Sequence, residues 1–127
     1  AARAGESADG NSGDCAAIAA RLESAADAYA AVVQYVVDTT RADIRAVYAG
    51  SVPYLMLAGR THGGWQLARA TLAACRMIGE GRDTGFAKAK IATARFYADH
   101  VLATVPGLAQ SVIAGSDGTL ALDEARF

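Results

Sequence analysis

Apolar positions along this chain recur at alternating steps of four and three in three long stretches. In the first, Ile18, Leu22, Ala25, Tyr29, Val32 and Val36 follow this rhythm. Such spacing places side chains on one stripe of an α-helix and suits near-parallel packing against a neighbour. Val33 and Val37 widen the stripe, leaving room for a fourth helix or a partner subunit. The helix is expected to begin at Asp14, or with Ser12 as its cap, because a side-chain oxygen there can accept from free backbone N–H groups. It should run to about Thr39. A short segment, Arg41 to Ala49, carries Ile44, Val47 and Tyr48, enough for one or two helical turns. Thr40 and Asp43 form a loose capping pair, and Gly50 closes the segment.

The second long stretch is expected to open with Ser51 as cap and Pro53 in the first turn, where a missing N–H costs nothing. Its seam reads Tyr54, Leu57 or Ala58, Thr61, Trp65, Ala68, Leu72 and Cys75. It should stop in Gly79-Glu80-Gly81, with Arg76 near the negative end of the helix dipole. Asp83 or Thr84 then caps the third helix, whose seam is Ala87, Ile91, Ala94, Ala98, Val101, Val105, Leu108 and Val112. Pro106 interrupts that pattern without shifting its phase, which predicts a kinked continuous helix rather than two. Gly115 should end it, Ser116-Asp117-Gly118 should turn, and Leu120, Leu122 and Phe127 should form a final apolar latch. Short connections between long helices make neighbours antiparallel. The expected fold is all-α: an up-down bundle of three long helices with short extra helical segments, a three- to four-helix bundle.

Composition supports this reading. Alanine, the best helix former, supplies roughly a quarter of the residues. The chain is 53% apolar and 20% charged, which excludes a disordered tail. No apolar/polar alternation is long enough for a strand. Residues 1–13, rich in Gly, Ser and small polar side chains, read as a flexible N-terminal linker to a single domain over residues 14–127. The first residue is Ala1 rather than Met, and nothing resembles a signal or cleavage site, so an excised domain is the expected origin.

Twelve basic and thirteen acidic residues give a net charge of −1 with no basic stripe, so nucleic acid is not an expected partner. The longest uncharged run, Val101 to Ser116, contains Pro106 and Gly107 and is too short to span a bilayer. A membrane is therefore not expected either, and a cytoplasmic location is. Cys15 and Cys75 lie far apart in sequence and read as two reduced, mostly buried thiols rather than a disulfide.

Candidate chemistry is sparse. His62 and His100 are the only histidines, and neither has Glu three residues before it as a di-iron bundle requires. No metal site is expected. His62 reads as a packing or hydrogen-bonding residue beside the seam, His100 as exposed. Gly63-Gly64 falls inside a helix with no preceding strand and no phosphate-loop pattern around it. Its expected role is to let another helix come very close. Arg60, Arg69, Arg76, Lys88, Lys90 and Arg95 read as solvated helix faces, although they could meet an acidic cofactor tail. Tyr54, Trp65, Phe96 and Tyr97 read as core. No Ser, His and acid set occurs at a familiar spacing, so no catalytic residue is assigned.

Several segments together resemble a known family. They are Val52 to Ala74 (VPYLMLAGRTHGGWQLARATLAA), the later IATARFYADHVLATVPGLAQSVIAG, and the closing LALDEARF. Pro-Tyr-Leu, Gly-Gly-Trp-x-Leu-Ala-Arg, Ala-Arg-Phe-Tyr-Ala-x-His and a final Leu-Asp-Glu resemble the extra C-terminal helical domain of bacterial acyl-CoA dehydrogenases. The group is the 3-methylmercaptopropionyl-CoA dehydrogenase-like one, and the resemblance covers about residues 14–127. It implies an α-helical appendage to a flavoprotein that carries out α,β-dehydrogenation of an acyl-CoA with FAD as hydride acceptor. The flavin-binding segments and catalytic carboxylate would lie in an upstream body, so this chain would hold no cofactor. Glu124, in the shared ending, reads as a surface or latch residue. The implied partners are that body, in the same chain, or its dimer mate. The alternative from the residues alone is an independent helical module gripping an acyl chain or partner helix, which predicts a deep apolar cavity lined by Leu57, Trp65, Val101 and Val105.

Overall fold

A computed structural model describes residues 2–126, with side chains described from residue 11 onward. The order is α1 (Ala2–Thr39), α2 (Ile44–Ala49), α3 (Ser51–Gly79), α4 (Thr84–His100), a 3-10 turn (Leu102–Thr104), α5 (Val105–Thr119) and a second 3-10 turn (Glu124–Arg126). The described residues form an all-α bundle and contain no strand.

Three sets of contacts establish the up-down-up arrangement. Cys15 meets Cys75 while Tyr29 meets Tyr54, so α1 and α3 are antiparallel. Asp14 meets Arg95 and Arg21 meets Asp99, so α1 and α4 run in the same sense. Tyr97 meets Arg60, which closes α3 and α4 into a hairpin. The α1–α3 pair is the frame: both helices pack against α4 and against α5, whereas α4 and α5 do not pack on each other.

The core has two parts. The larger gathers Ile18, Ala25 and Val32 of α1, Leu57 of α3, Ala94 and Ala98 of α4, and Leu102, Val105, Ala109 and Val112 beyond it. The smaller, at the tip of the α3–α4 hairpin, holds Ala74, Ala87 and Ile91. Each fully buried Leu, Ile or Val contributes on the order of 1.5–3 kcal/mol of transfer free energy.

The closest helix approach occurs at Gly63-Gly64. A Cβ on Gly64 would stand 2.5 Å from Leu102 Cδ2, and one on Gly63 would stand 2.5 Å from the Tyr97 hydroxyl. Both distances lie inside van der Waals contact. The two missing side chains therefore let the end of α4 and the following turn seat directly on the α3 backbone. The Tyr97 hydroxyl donates to the Arg60 carbonyl at 2.9 Å, and the Arg60 guanidinium donates to Thr104 Oγ1 at 2.6 Å.

Several expectations need correction. The backbone is helical from Ala2 rather than from Ser12 or Asp14. Helix propagation costs little once nucleated, so the alanine-rich part of α1 beyond Asp14 can extend backward through Gly5, Gly10 and Gly13. The third rod is two helices, not one kinked helix. Pro106 has no N–H for the Leu102 carbonyl, and its ring crowds that carbonyl. The chain accordingly takes a 3-10 turn and restarts with Pro106 in the first turn of α5. The seam survives the break with Leu102 in place of Val101 and Ala109 in place of Leu108 as the fully buried positions. The α5 helix passes through Gly115 and the expected Ser116-Asp117-Gly118 turn, ending only at Thr119. Leu120 and Leu122 are exposed and latch nothing, and Phe127 lies outside the described residues.

Caps differ in a similar way. Ser51 makes no cap bond; Gly50 precedes α3 and is buried against Val112. Asp43 caps α2, its carboxylate accepting from the Arg45 and Ala46 N–H groups at 3.1 and 3.2 Å. Between α3 and α4, Gly81 at φ 67° takes the left-handed turn that favours glycine. Asp83 also adopts a left-handed conformation, φ 41°, and its carbonyl accepts from Ala87 N–H.

Two predictions follow from this packing. Gly64→Ala should lower stability by about 1–3 kcal/mol through overpacking against Leu102. Gly59→Ala, whose Cβ would meet nothing within 4 Å, should raise stability by up to about 1 kcal/mol through helix propensity alone. Urea midpoints of the two variants check this, and equal shifts in either direction would refute the close-approach explanation. The second concerns Asp99, which accepts from Arg95 Nε at 2.7 Å and lies 3.6 Å from Arg21. The Arg95 hydrogen bond above all holds its carboxyl below the ordinary 3.8. A depressed folded value stabilises above the unfolded value and loses that contribution as pH falls through the folded one. Melting temperature should therefore drop below about pH 4 less steeply in Asp99→Asn than in the parent chain, as calorimetry across pH 2–6 would show.

Candidate functional site

The most distinctive surface feature is an apolar groove between α1 and α3. One part, of about 340 Å³, is lined by Leu22, Ala26, Tyr29, Thr61, His62 and Trp65. A smaller part, of about 160 Å³, shares Leu22 and continues toward Cys15, Ile18, Ala68 and Leu72. Trp65 and Leu72 stand on its α3 side, 48% and 58% exposed. On the α1 side, Ala19, Ala26 and Val33 recur at seven residues and so share one stripe.

The groove exists because α3 buries a different stripe from the one its large residues suggest. Leu57, Thr61, Gly64, Thr71 and Ala74 are its buried positions. Trp65 and Leu72, expected in the seam, sit one position out of that register and project onto the lip. A seam read through Gly64 instead of Trp65 would have placed them there; a glycine in a core position carries no hydrophobic signal. Arg69 packs over the Trp65 ring at 5.2 Å, a cation–π contact that covers one face of the indole.

Two polar groups of the groove lining are engaged by their own helix. Thr61 Oγ1 donates to the Leu57 carbonyl at 2.9 Å. His62 Nδ1 lies 2.7 Å from the Ala58 carbonyl; a carbonyl only accepts, so Nδ1 carries a proton. Tyr29 meets His62 edge-on at 5.7 Å and Tyr54 at 6.1 Å. Burial, with Tyr29 second, holds the Tyr54 phenol above its ordinary 10.0.

The remaining sequence candidates are scattered. His100 is exposed and lies against Phe96, ring centroids 4.4 Å apart. Lys90 lies over Phe86, and Arg95 joins Asp14 and Asp99. Phe96 and Trp65 are exposed rather than core, whereas Tyr54 and Tyr97 are partly buried. Glu124 is exposed in the last 3-10 turn. Cys15 and Cys75 are both free thiols. Among the described residues no three His, Cys, Asp or Glu side chains gather as a metal site would require. No helix of the described residues is long and apolar enough to cross a membrane. The cavity expected at Leu57, Trp65, Val101 and Val105 is not formed: Leu57 and Val105 are fully buried in the closed core, while Trp65 faces outward. Gripping an acyl chain at that place is thereby excluded.

Comparison with known proteins gives this surface a context. The profile of the family described as "Acetyl-CoA dehydrogenase C-terminal like" matches residues 1–123. The chain belongs to that family. It is also similar to the 3-methylmercaptopropionyl-CoA dehydrogenase of Ruegeria pomeroyi, 46% identical over 85 residues. That match covers 67% of this chain and 14% of the dehydrogenase, so the chain spans a small part of the relative's length. No solved structure matches.

FAD, the cofactor that acyl-CoA dehydrogenation implies, does not fit the groove. Its pyrophosphate calls for cationic side chains and none lines the groove, while the Thr61 hydroxyl and His62 Nδ1–H are bound to their own helix. The lining is otherwise apolar, which suits the apolar face of a helix better. Trp65 is the only tryptophan, so its emission should be red-shifted and readily quenched by acrylamide in the free chain. A blue, protected emission would show that the groove is closed in solution.

Proposed function

We propose that this chain serves as a non-catalytic C-terminal accessory domain of an FAD-dependent acyl-CoA dehydrogenase. Its α1–α3 groove would dock on the flavoprotein body or on that body's dimer mate. The parent reaction is α,β-dehydrogenation of an acyl-CoA thioester, within acyl-chain (fatty acid) metabolism in the cytoplasm. Flavin and catalytic carboxylate belong to the body, and residues 1–13 act as the tether to the packed domain 14–127.

One observation carries this reading within the family: the bundle closes its own core and still exposes Trp65 and Leu72 on the groove lip. Large apolar side chains gathered on one groove mark an interaction surface. Tryptophan with an adjacent arginine is the composition enriched where partners contribute most to binding.

The chain alone is expected to show neither flavin absorbance nor acyl-CoA oxidation with an artificial electron acceptor. Mixed with a flavoprotein of the acyl-CoA dehydrogenase class lacking this domain, it should bind with a blue shift of Trp65 emission. Trp65→Ala with Leu72→Ser should weaken that binding at least about tenfold, the loss of roughly 1.4 kcal/mol or more. Because both side chains lie outside the core, their loss should leave the melting temperature nearly unchanged. A yellow, active chain, or binding untouched by the double substitution, would overturn the proposal.

A further inference from the structure

Cys15 and Cys75 are separated by 60 positions in sequence, yet their sulfur atoms lie 3.6 Å apart. One sits in the first half of α1 and the other near the end of α3. Both are free, neither is fully buried, and Cys15 opens onto the smaller, 160 Å³ part of the groove. These are the only two cysteines in the chain. We infer that Cys15 and Cys75 form a reversible dithiol site that a peroxide or a small disulfide converts into an intramolecular bridge pinning α1 to α3.

The geometry admits the bond. A disulfide requires sulfurs about 2 Å apart, so the two must close by less than the width of one atom, within reach of small side-chain rotations. No other thiol competes. With hydrogen peroxide, one thiolate attacks an oxygen, the O–O bond breaks, and the departing hydroxide takes a proton, leaving a sulfenic acid. The second thiolate then attacks that sulfur, the S–S bond forms, and hydroxide leaves and takes up the proton that the second thiol lost, giving water. Two thiols are oxidised by two electrons and one peroxide is reduced to two waters. With oxidised glutathione the same bridge forms by two exchanges, releasing two molecules of the reduced tripeptide.

The location gives the bridge a consequence. The hairpin tip of α3 and α4 has its own small core of Ala74, Ala87 and Ile91, against which Cys75 packs. Toward α1 that end is held by the thiol pair and by the part-exposed Asp14–Arg95 ion pair. Such exposed ion pairs hold weakly. Oxidation would replace a loose clasp with a covalent one and restrict the unfolded chain. Burial, and then the hydrogen bond shared with Cys75, hold the Cys15 thiol above its ordinary 9.0. Bridge formation should therefore accelerate as pH rises, since the thiolate is the reacting form.

The test uses the whole chain, reduced and then exposed to one equivalent of hydrogen peroxide or to oxidised glutathione. Both thiols should disappear from titration with an aromatic disulfide reagent, and the mass should fall by two hydrogens. Proteolysis should yield a peptide pair joining Cys15 to Cys75. The melting temperature should rise by roughly 5–15 °C and return on adding dithiothreitol. Cys15→Ser and Cys75→Ser should each fold, retain one thiol, and show no rise in melting temperature under oxidant. The inference is overturned if the wild-type chain gains oxygen atoms without losing two hydrogens. It is equally overturned if non-reducing gels show linked dimers while monomers keep both thiols.

Discussion

The seating of Leu102 and Tyr97 on Gly63-Gly64 is the contact on which the rest of the bundle depends. Two adjacent residues without side chains remove the spacing that would hold the rods apart. The same contact sets register along α3, because Leu102 can sink only where no Cβ stands. Once Leu102 is in place, Val105, Ala109 and Val112 fall into the seam between α1 and α3. A glycine costs roughly 1 kcal/mol relative to alanine in a helix interior, and burial of Leu102 offsets that cost for Gly64. The Tyr97–Arg60–Thr104 chain of hydrogen bonds then locks the same corner.

That register also explains why the groove is where it is. With Gly64 facing the interior, its neighbour Trp65 must face away, and Leu72, two turns on, follows it out. The exposed apolar lip is thus the geometric counterpart of the tight corner inside. A surface of this kind suits the docking role proposed above. Whatever docks there meets a rigid frame, since the opposite faces of α1 and α3 are held by the core.

Much of this was legible in the order of residues, for reasons that differ from element to element. The α1 stripe from Ile18 to Val36 read correctly because every position in it is apolar and helical spacing is unambiguous. The α4 seam of Ala87, Ile91, Ala94 and Ala98 read correctly for the same reason. The close approach at Gly63-Gly64 was legible because glycine pairs are costly in helices. The α3 stripe was misread because size was taken for burial, and Trp65 outweighs a glycine in any hydrophobic count. The break before α5 was missed because the seam keeps its phase through a 3-10 turn as well as through a kink. Thiol proximity was invisible: sequence spacing carries no information about two residues 60 positions apart on different helices.

The Pro106 break has one more effect. The half-rods α4 and α5 lean separately on the α1–α3 frame and not on each other. The hairpin tip, with its own small core, is therefore a candidate cooperative unit in the sense of native-state exchange. What strains or frees the thiol end reaches the far end through α1, α3 and the 3-10 turn that packs on both half-rods.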